Sequence, residues 1–350
     1  MRRANIVYWY GQSEMPRDGG GLRALAWHKA LTDLGYESTI HPLRKVDAGE
    51  GNQGPLRSLK KQIIPMPLQG RLPKLPASEL NVITVPSVFA SAARSHPQST
   101  LLFDWMDLWS VNAQTMAHSS RSMRAGGLAQ SSWWKVLESR LPLKPAGNAF
   151  AGHDDFLSMS RGHDVPSAWL PTPVEWPQRP GPEVRRQPPT LPRRIGFLGN
   201  MNYAPNIVSL KKFLSQYADR LAPMGMELVV AGYGSEVVKT WTSMATVLGP
   251  VDDVADFYAS VDAVIVPIDH GGGIKVKALE AMVHGVPVFG TEHVRSGFNP
   301  SFWEYIGDVN DLMKGGKATV KVAPARAVQS RFSETSFMDS VAELLGRSGF

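Results

Sequence analysis

The chain has 350 residues, 43% of them apolar, and carries 37 Lys/Arg against 31 Asp/Glu for a net charge of +6, with no cysteine. That length suits two domains of ordinary size, each able to bury its own core, and the missing cysteine excludes disulfide scaffolding and thiolate chemistry. No apolar run reaches the ~18 residues of a membrane span and no secretory signal opens the chain, so a cytoplasmic protein is expected.

Taken in order, Ala4–Tyr8 (ANIVY) reads as a first strand. The loop Gln12–Gly21 follows and ends in the triplet Gly19–Gly21, with an amphipathic helix expected over Leu22–Leu34 before Gly35. Further strands are expected at Val82–Pro86 and at Leu101–Asp104, the second running into F-D-W-M-D-L-W-S. Asp104 and Asp107 therefore stand where a strand empties, as a general base or, in the plainer assignment, as a helix N-cap and an interdomain hydrogen bond. Asn148–Phe156 reads as a strand and turn, and Trp169–Pro173 as a last strand. The stretch Pro171–Pro192 holds eight prolines and several arginines without an apolar period, the composition of a linker.

Beyond the linker the pattern sharpens. Ile195–Asn206 (IGFLGNMNYAPN) gives a strand, a turn at Gly199 and Asn200, and a helix after Pro205. Glu227–Ser235 (ELVVAGYGS) gives a strand ending in the turn Gly232–Gly234, and Val247–Tyr258 a short strand, an Asp-rich turn and a helix. Asp262–Pro267 is the next strand, leading into DHGGGIKVKALEAMVHGVPVFGT with a helix from about Lys275 to His284, then a strand at Val286–Thr291. Short apolar strands alternating with amphipathic helices make a doubly wound parallel sheet, whose ligand site lies at the carboxyl ends of its strands. Gly271, Gly272 and Gly273 before a helix N-terminus let backbone N–H groups approach an anion, and Lys275 and Lys277 add charge there. Glu280, about one and a half turns in, is placed to accept hydrogen bonds from sugar hydroxyls. Together these groups suit a diphosphate flanked by polyols, a nucleotide-sugar. The plain alternative is a Gly-rich turn of the kind every α/β protein contains, with lysines on a solvated face.

The ordered series G-N-M-N-Y-A-P-N (Gly199–Asn206), V-V-A-G-Y-G (Val229–Gly234), G-P-V-D-D-V-x-x-F-Y (Gly249–Tyr258), D-A-V-I-V-P (Asp262–Pro267) and G-G-G-I-K-V-K-A-L-E-A-M-V-H-G-V-P-V (Gly271–Val288) resembles the C-terminal domain of a GT-B glycosyltransferase. It is most similar to glycosyltransferase family 4, bacterial surface-glycan enzymes, and spans roughly residues 193 to 298. The resemblance implies an α/β fold of two Rossmann-like doubly wound parallel-sheet domains facing a central cleft. It implies that Glu280 binds the donor ribose, that Gly232, Gly234, Val251 and Asp253 line the nucleobase pocket, and that Gly271, Gly272, Gly273, Ile274, Lys275 and Lys277 meet diphosphate and sugar. Gly199 and Asn200 lie near the phosphates, and Gly20 and Gly21 face the cleft from the first domain. Asp104 and Asp107 become candidates for activating an acceptor, with His118 either an acceptor contact or an ordinary surface or core histidine. One departure concerns Gly272, which stands where many members carry a first glutamate beside the transferred sugar. The domains expected are 1–180 for the acceptor, a linker at 181–192, 193–330 for the donor, and a final helix within 331–350 crossing back to the first.

The charge is uneven: residues 1–180 carry 20 Lys/Arg against 14 Asp/Glu, while residues 181–350 carry 17 of each. The excess concentrates in Arg44–Lys74, where Arg44, Lys45, Arg57, Lys60, Lys61, Arg71 and Lys74 interleave with Leu56, Ile63, Ile64 and Leu68. That composition suits either peripheral contact with an anionic inner-membrane face or a solvated loop, and it lacks the aromatic or helical readers of nucleic acid. The resulting expectation is a hexosyltransferase-type enzyme of polysaccharide synthesis, moving a sugar from a nucleotide diphosphate to a glycan or lipid-linked acceptor. It needs no cofactor and no metal. A nucleotide-sugar epimerase or hydrolase, or a silent donor-binding subunit, are the alternatives, and the missing G-x-G-x-x-G argues against a dehydrogenase.

Overall fold

A computed structural model describes residues 2–10, 19–45, 70–119, 124–176, 191–315 and 320–350 of the chain. It divides into two compact units, Met1–Pro173 with Glu334–Phe350, and Val174–Ser333. Each is an α/β layer structure around its own parallel sheet.

The first unit carries strands β1 (Arg2–Tyr8), β2 (Tyr36–Pro42), β3 (Leu80–Ile83), β4 (Thr100–Trp105), β5 (Gly147–Phe150) and β6 (Ser167–Trp169), in the order β2-β1-β3-β4-β5-β6. All five pairings are parallel. The central strands are unbroken buried runs, as a sheet covered on both faces requires. Helices α1 (Gly19–Asp33), α2 (Pro86–Ser95), α3 (Trp109–Ser119), α4 (Arg124–Arg140) and α5 (His153–Met159) complete the contiguous part. The glycine triplet expected to end a loop instead forms the first turn of α1, so Gly20 is half-buried and Gly21 buried within a helix.

The second unit carries β7 (Arg194–Leu198), β8 (Glu227–Ala231), β9 (Ala245–Gly249), β10 (Ala263–Val266), β11 (Val288–Gly290) and β12 (Ile306–Asp308), ordered β9-β8-β7-β10-β11-β12 and again all parallel. Its principal helices are α6 (Ala204–Leu221), α7 (Val254–Ala259), α8 (Val276–Val283) and α9 (Ala325–Phe332). Strand order reverses at β7, which lies between β8 and β10, so the turns after these three strands converge where doubly wound sheets bind ligands.

The last helix, α10 (Glu334–Arg347), belongs to the first unit. Phe337, Val341, Leu344 and Leu345 enter its core with Trp27 and Leu31 of α1, and the Trp27 and Phe337 rings meet edge to face at 5.7 Å. Most of the basic segment Arg44–Lys74, including Arg57, Lys60 and Lys61, lies outside the described residues; Arg71 and Lys74 are exposed. Among the described residues no helix is long and apolar enough to cross a membrane.

Candidate functional site

In the second unit the turns after β7 and β8 and the end of β9 are stitched together by backbone. Gly199 N–H donates to the Ala231 carbonyl at 3.0 Å, Met201 N–H to Tyr233 at 2.8 Å, and Gly232 N–H to Gly249 at 2.8 Å. Gly232 permits this approach. Its φ is 117°, and a Cβ there would lie 2.3 Å from the Gly199 carbonyl oxygen. No side chain capable of L stereochemistry fits such a position without moving one turn away from the other.

Lys277 occupies the centre of this arrangement. It stands in the first turn of α8, a helix whose N-terminus is not capped by a side chain. Its Nζ donates to Asn206 Oδ1 at 2.7 Å and lies 4.4 Å from the centre of the Phe197 ring. Asn206 in turn donates through Nδ2 to the Asn200 carbonyl at 2.8 Å, tying α6, the β7 turn and α8 into one unit. Gly199 leaves the room this needs, because a Cβ on it would come within 3.0 Å of the Lys277 nitrogen. Burial lowers the Lys277 pKa to about 7, opposed by the charge of Glu280 and reinforced by Lys275.

Glu280 lies one turn further along α8 and accepts a hydrogen bond from Tyr258 Oη at 3.0 Å. Burial raises its pKa, while the Tyr258 hydrogen bond and the Lys277 charge pull it down. Tyr258 is itself almost wholly buried and stacks on His284 at 4.7 Å and 18°. Burial lowers the His284 pKa, opposed by Asp253. Asp253 caps α7, accepting from Ala255 N–H at 2.8 Å, and Val251 is half-buried beside it. The helix N-terminus, an ammonium and a carboxylate thus lie within a turn and a half of one another, the complement of an anion with hydroxyls attached.

Lys275 does something the sequence did not suggest. Its Nζ folds back to donate to the carbonyls of Gly271 at 2.8 Å, Gly272 at 2.6 Å and Gly273 at 3.4 Å. His293 adds a contact from Nε2 to the Gly271 carbonyl at 2.5 Å, and burial lowers its pKa. The charge of Lys275 therefore holds the glycine loop in shape, with Ile274 buried at its end. Lys277 is the lysine whose charge is presented beside the helix N-terminus.

In the first unit Asp104 is fully buried and paired with Arg23, whose Nε reaches its two oxygens at 3.0 and 2.9 Å. A second guanidinium nitrogen donates to Oδ1 at 2.5 Å, and a third to the Leu170 carbonyl at 2.5 Å. The expectation of a proton acceptor at Asp104 is corrected by this geometry: a carboxylate held by three charge-assisted hydrogen bonds inside the core is a fastening between α1, β4 and the strand-β6 end. It is also not a helix cap. Asp107 lies half-buried in the turn after β4; burial raises the pKa of Glu138 against the pull of hydrogen bonds from Ser110 and Trp109, and the Asp107 charge adds to the rise. Glu138, which no local sequence pattern nominates, reaches from α4 to accept the Ser110 N–H at 3.0 Å and so caps α3. The backbone of His118 falls in α3, and its side chain lies outside the described residues.

Sequence pattern alone also does not nominate Asn206, Tyr258 and His284 as functional residues. The signal was present, since Asn206 and Tyr258 close two of the quoted motifs, but their partners are up to 71 residues away in sequence.

Residues 192–313 match the family described as Glycosyl transferases group 1. Among solved structures, Anabaena HepE in complex with UDP and glucose superposes with a TM-score of 0.59 at 11% identity, over 99% of this chain and 100% of that one. HepE in complex with UDP-glucose gives 0.55 at 12% identity over the same shares. S. aureus TarM gives 0.50 at 13% identity over 75% of this chain, which spans only 54% of TarM's length. No curated protein matches the chain by sequence. At such identities the likeness is one of fold: two six-stranded parallel sheets with flanking helices, the GT-B glycosyltransferase architecture.

Proposed function

We propose that this chain, with a glycosyltransferase group 1 domain at residues 192–313 on a GT-B fold, transfers a hexose from a nucleoside diphosphate to a glycan or lipid-linked acceptor in surface-polysaccharide synthesis. The observation that carries the reading is the position of Lys277, held by Asn206 beside the uncapped start of α8 with Glu280 one turn away. Transfer forms a bond from the acceptor oxygen to the sugar's anomeric carbon, breaks that carbon's bond to the diphosphate, and passes the acceptor's hydroxyl proton to the departing diphosphate or to solvent. The negative charge that develops on the departing diphosphate is met by the Lys277 ammonium and the N-terminal dipole of α8, both fixed beforehand. Glu280 receives the ribose hydroxyls, oriented by Tyr258. Gly232, Gly234, Val251 and Asp253 line the base, and the Gly271–Gly273 loop, shaped by Lys275, meets diphosphate and sugar. With the leaving group neutralised by a side chain and a helix, the reaction proceeds without a divalent metal.

On the acceptor side, Asp107 is the remaining sequence-nominated carboxylate of the first unit, because Asp104 is committed to Arg23. A cytoplasmic enzyme in peripheral contact with an anionic membrane accounts for the positive excess of residues 1–180. The HepE complexes with UDP and with UDP-glucose support a uridine diphosphate donor as the first to try. One observation favours a second reading, a donor-binding subunit without turnover: Gly272 stands where many members of the resembled family carry a glutamate.

The test is calorimetric titration of UDP, GDP and dTDP into the wild type, Glu280→Ala and Lys277→Ala, with EDTA present. One diphosphate is expected to bind, and each substitution to weaken it by more than about tenfold, ~1.4 kcal/mol. Absence of binding by all three, or binding indifferent to both substitutions, overturns the donor site. Binding without sugar transfer to any acceptor favours the silent subunit.

A further inference from the structure

Helix α4 buries Gly127, Gln130, Ser131, Trp134 and Glu138 in the first unit. Its other face is unusual for a helix in water. Leu128 is 47% exposed, Trp133 40% and Val136 57%, and Leu143, just past the helix end, 56%. Positions 125, 128, 129, 132, 136 and 139 fall on one stripe at helical spacing, where Leu128 and Val136 are accompanied by Ala125, Ala129, Ser132 and Ser139, and Leu143 follows in the short turn Leu141–Leu143 after the helix. The stripe is flanked by Arg124, Lys135, Arg140 and Lys144, all exposed. The one acid between positions 124 and 144, Glu138, is on the buried side, bonded to Ser110.

We propose that this face of α4 seats the protein on an anionic lipid bilayer. An apolar stripe with a cationic border and an interfacial tryptophan matches the headgroup–acyl boundary, which offers hydrocarbon to Leu128, Val136 and Leu143 and counter-charge to the four basic side chains. A second copy of the chain is the poorer occupant. A two-fold contact brings the same patch against itself and would oppose four cations with four cations. The proposal deepens the membrane contact proposed above by assigning it to a helix, and it is independent of the donor site.

The experiment is flotation of the full chain with vesicles of phosphatidylcholine alone or mixed with phosphatidylglycerol. Three proteins are compared: wild type, Leu128→Glu/Val136→Glu, and Lys135→Gln/Arg140→Gln. Wild type is expected to float with the anionic vesicles only, and each variant to partition about tenfold less or weaker still. The substituted side chains are exposed, so melting temperature and nucleoside diphosphate binding are expected to stay unchanged, which separates this result from failure of the donor site. Three results overturn the proposal. Wild type fails to bind anionic vesicles, or both variants bind like wild type and so locate the contact elsewhere, or the glutamate variant dissolves a wild-type dimer while vesicles capture nothing.

Discussion

Lys277 gives up its proton near neutrality, and this makes the cationic character of the site a function of pH. Its folded pKa of about 7 lies below the unfolded value of 10.5, so between those values the unfolded chain binds more protons and this group's contribution to stability rises with pH. Glu280 has the opposite sign. Its folded carboxyl is raised above 4.5, so its contribution is present below that value and is lost as pH rises through the folded pKa. An arriving diphosphate restores the lysine's proton, since an adjacent anion favours the charged form. Above pH ~7.5, where the ligand phosphates are fully ionised, affinity is expected to fall by up to about tenfold per pH unit until the coupling saturates. Titrations in buffers of different ionisation enthalpy read the proton uptake directly. Lys277→Met should bind more weakly and show neither the pH slope nor the uptake; a wild-type profile flat from pH 7.5 to 9 would refute the assignment. Asp104 makes a contrasting case at the same scale. Removing one member of its buried pair with Arg23 strands the other, so Asp104→Ala is expected to cost about 3–5 kcal/mol in denaturant unfolding of the first unit. Diphosphate binding by the second unit should be unaffected.

At the scale of elements, the contact between the β7 and β8 turns rests on a glycine that no other residue can replace. Gly232→Ala places a methyl against the Gly199 carbonyl and adds positive-φ strain, so a loss of about 2 kcal/mol or more is expected, with weaker diphosphate binding. Gly285 supplies the control. It ends α8 at φ 65° with Val286 N–H donating to the Ala281 carbonyl at 2.8 Å, and nothing lies within 4 Å of a Cβ there. Gly285→Ala should therefore cost only about 1 kcal/mol and leave binding intact; equal losses at both sites would remove the argument from close approach. These two glycines also mark what the sequence could reveal. Apolar runs such as Ile195–Leu198 and Ala263–Val266 announce central parallel strands, because both their faces are buried. Edge strands announce themselves less clearly, and β6 and β9 are legible only in part. β2 (YESTIHP) and β12 (IGD) went unread, since an edge strand has fewer buried positions and β2 carries polar side chains on alternate ones. The glycine–lysine loop and Glu280 were legible as a local motif. The folding back of Lys275 and the Asn206 and Tyr258 contacts depend on how distant segments pack, which local pattern does not encode.

The chain as a whole is not two beads in series, because its last segment completes its first unit. Phe337, Val341, Leu344 and Leu345 of α10 are each 5% exposed or less, packed with Trp27, Leu31 and the sheet. Glu334 pairs with Lys29, and Arg347 donates to the Ser167 carbonyl at 3.0 Å. At about 1.5–3 kcal/mol for each buried apolar side chain, the four together supply roughly 6–12 kcal/mol, as much as the net stability of a domain. A chain ending at Ser333 is therefore expected to lose the first unit's cooperative unfolding altogether. The second unit's core draws on no residue beyond 333, so it should keep its own transition. Calorimetry then shows one transition where the full chain shows two or a merged one, and nucleoside diphosphate binding survives. Phe337→Ala, expected to cost about 3–5 kcal/mol, should move only the first unit's transition. If the shortened chain melts like the full one, the helix is an ornament on the first unit. If it loses both transitions, the units are coupled, and stability in one half of the molecule is then set by residues in the other.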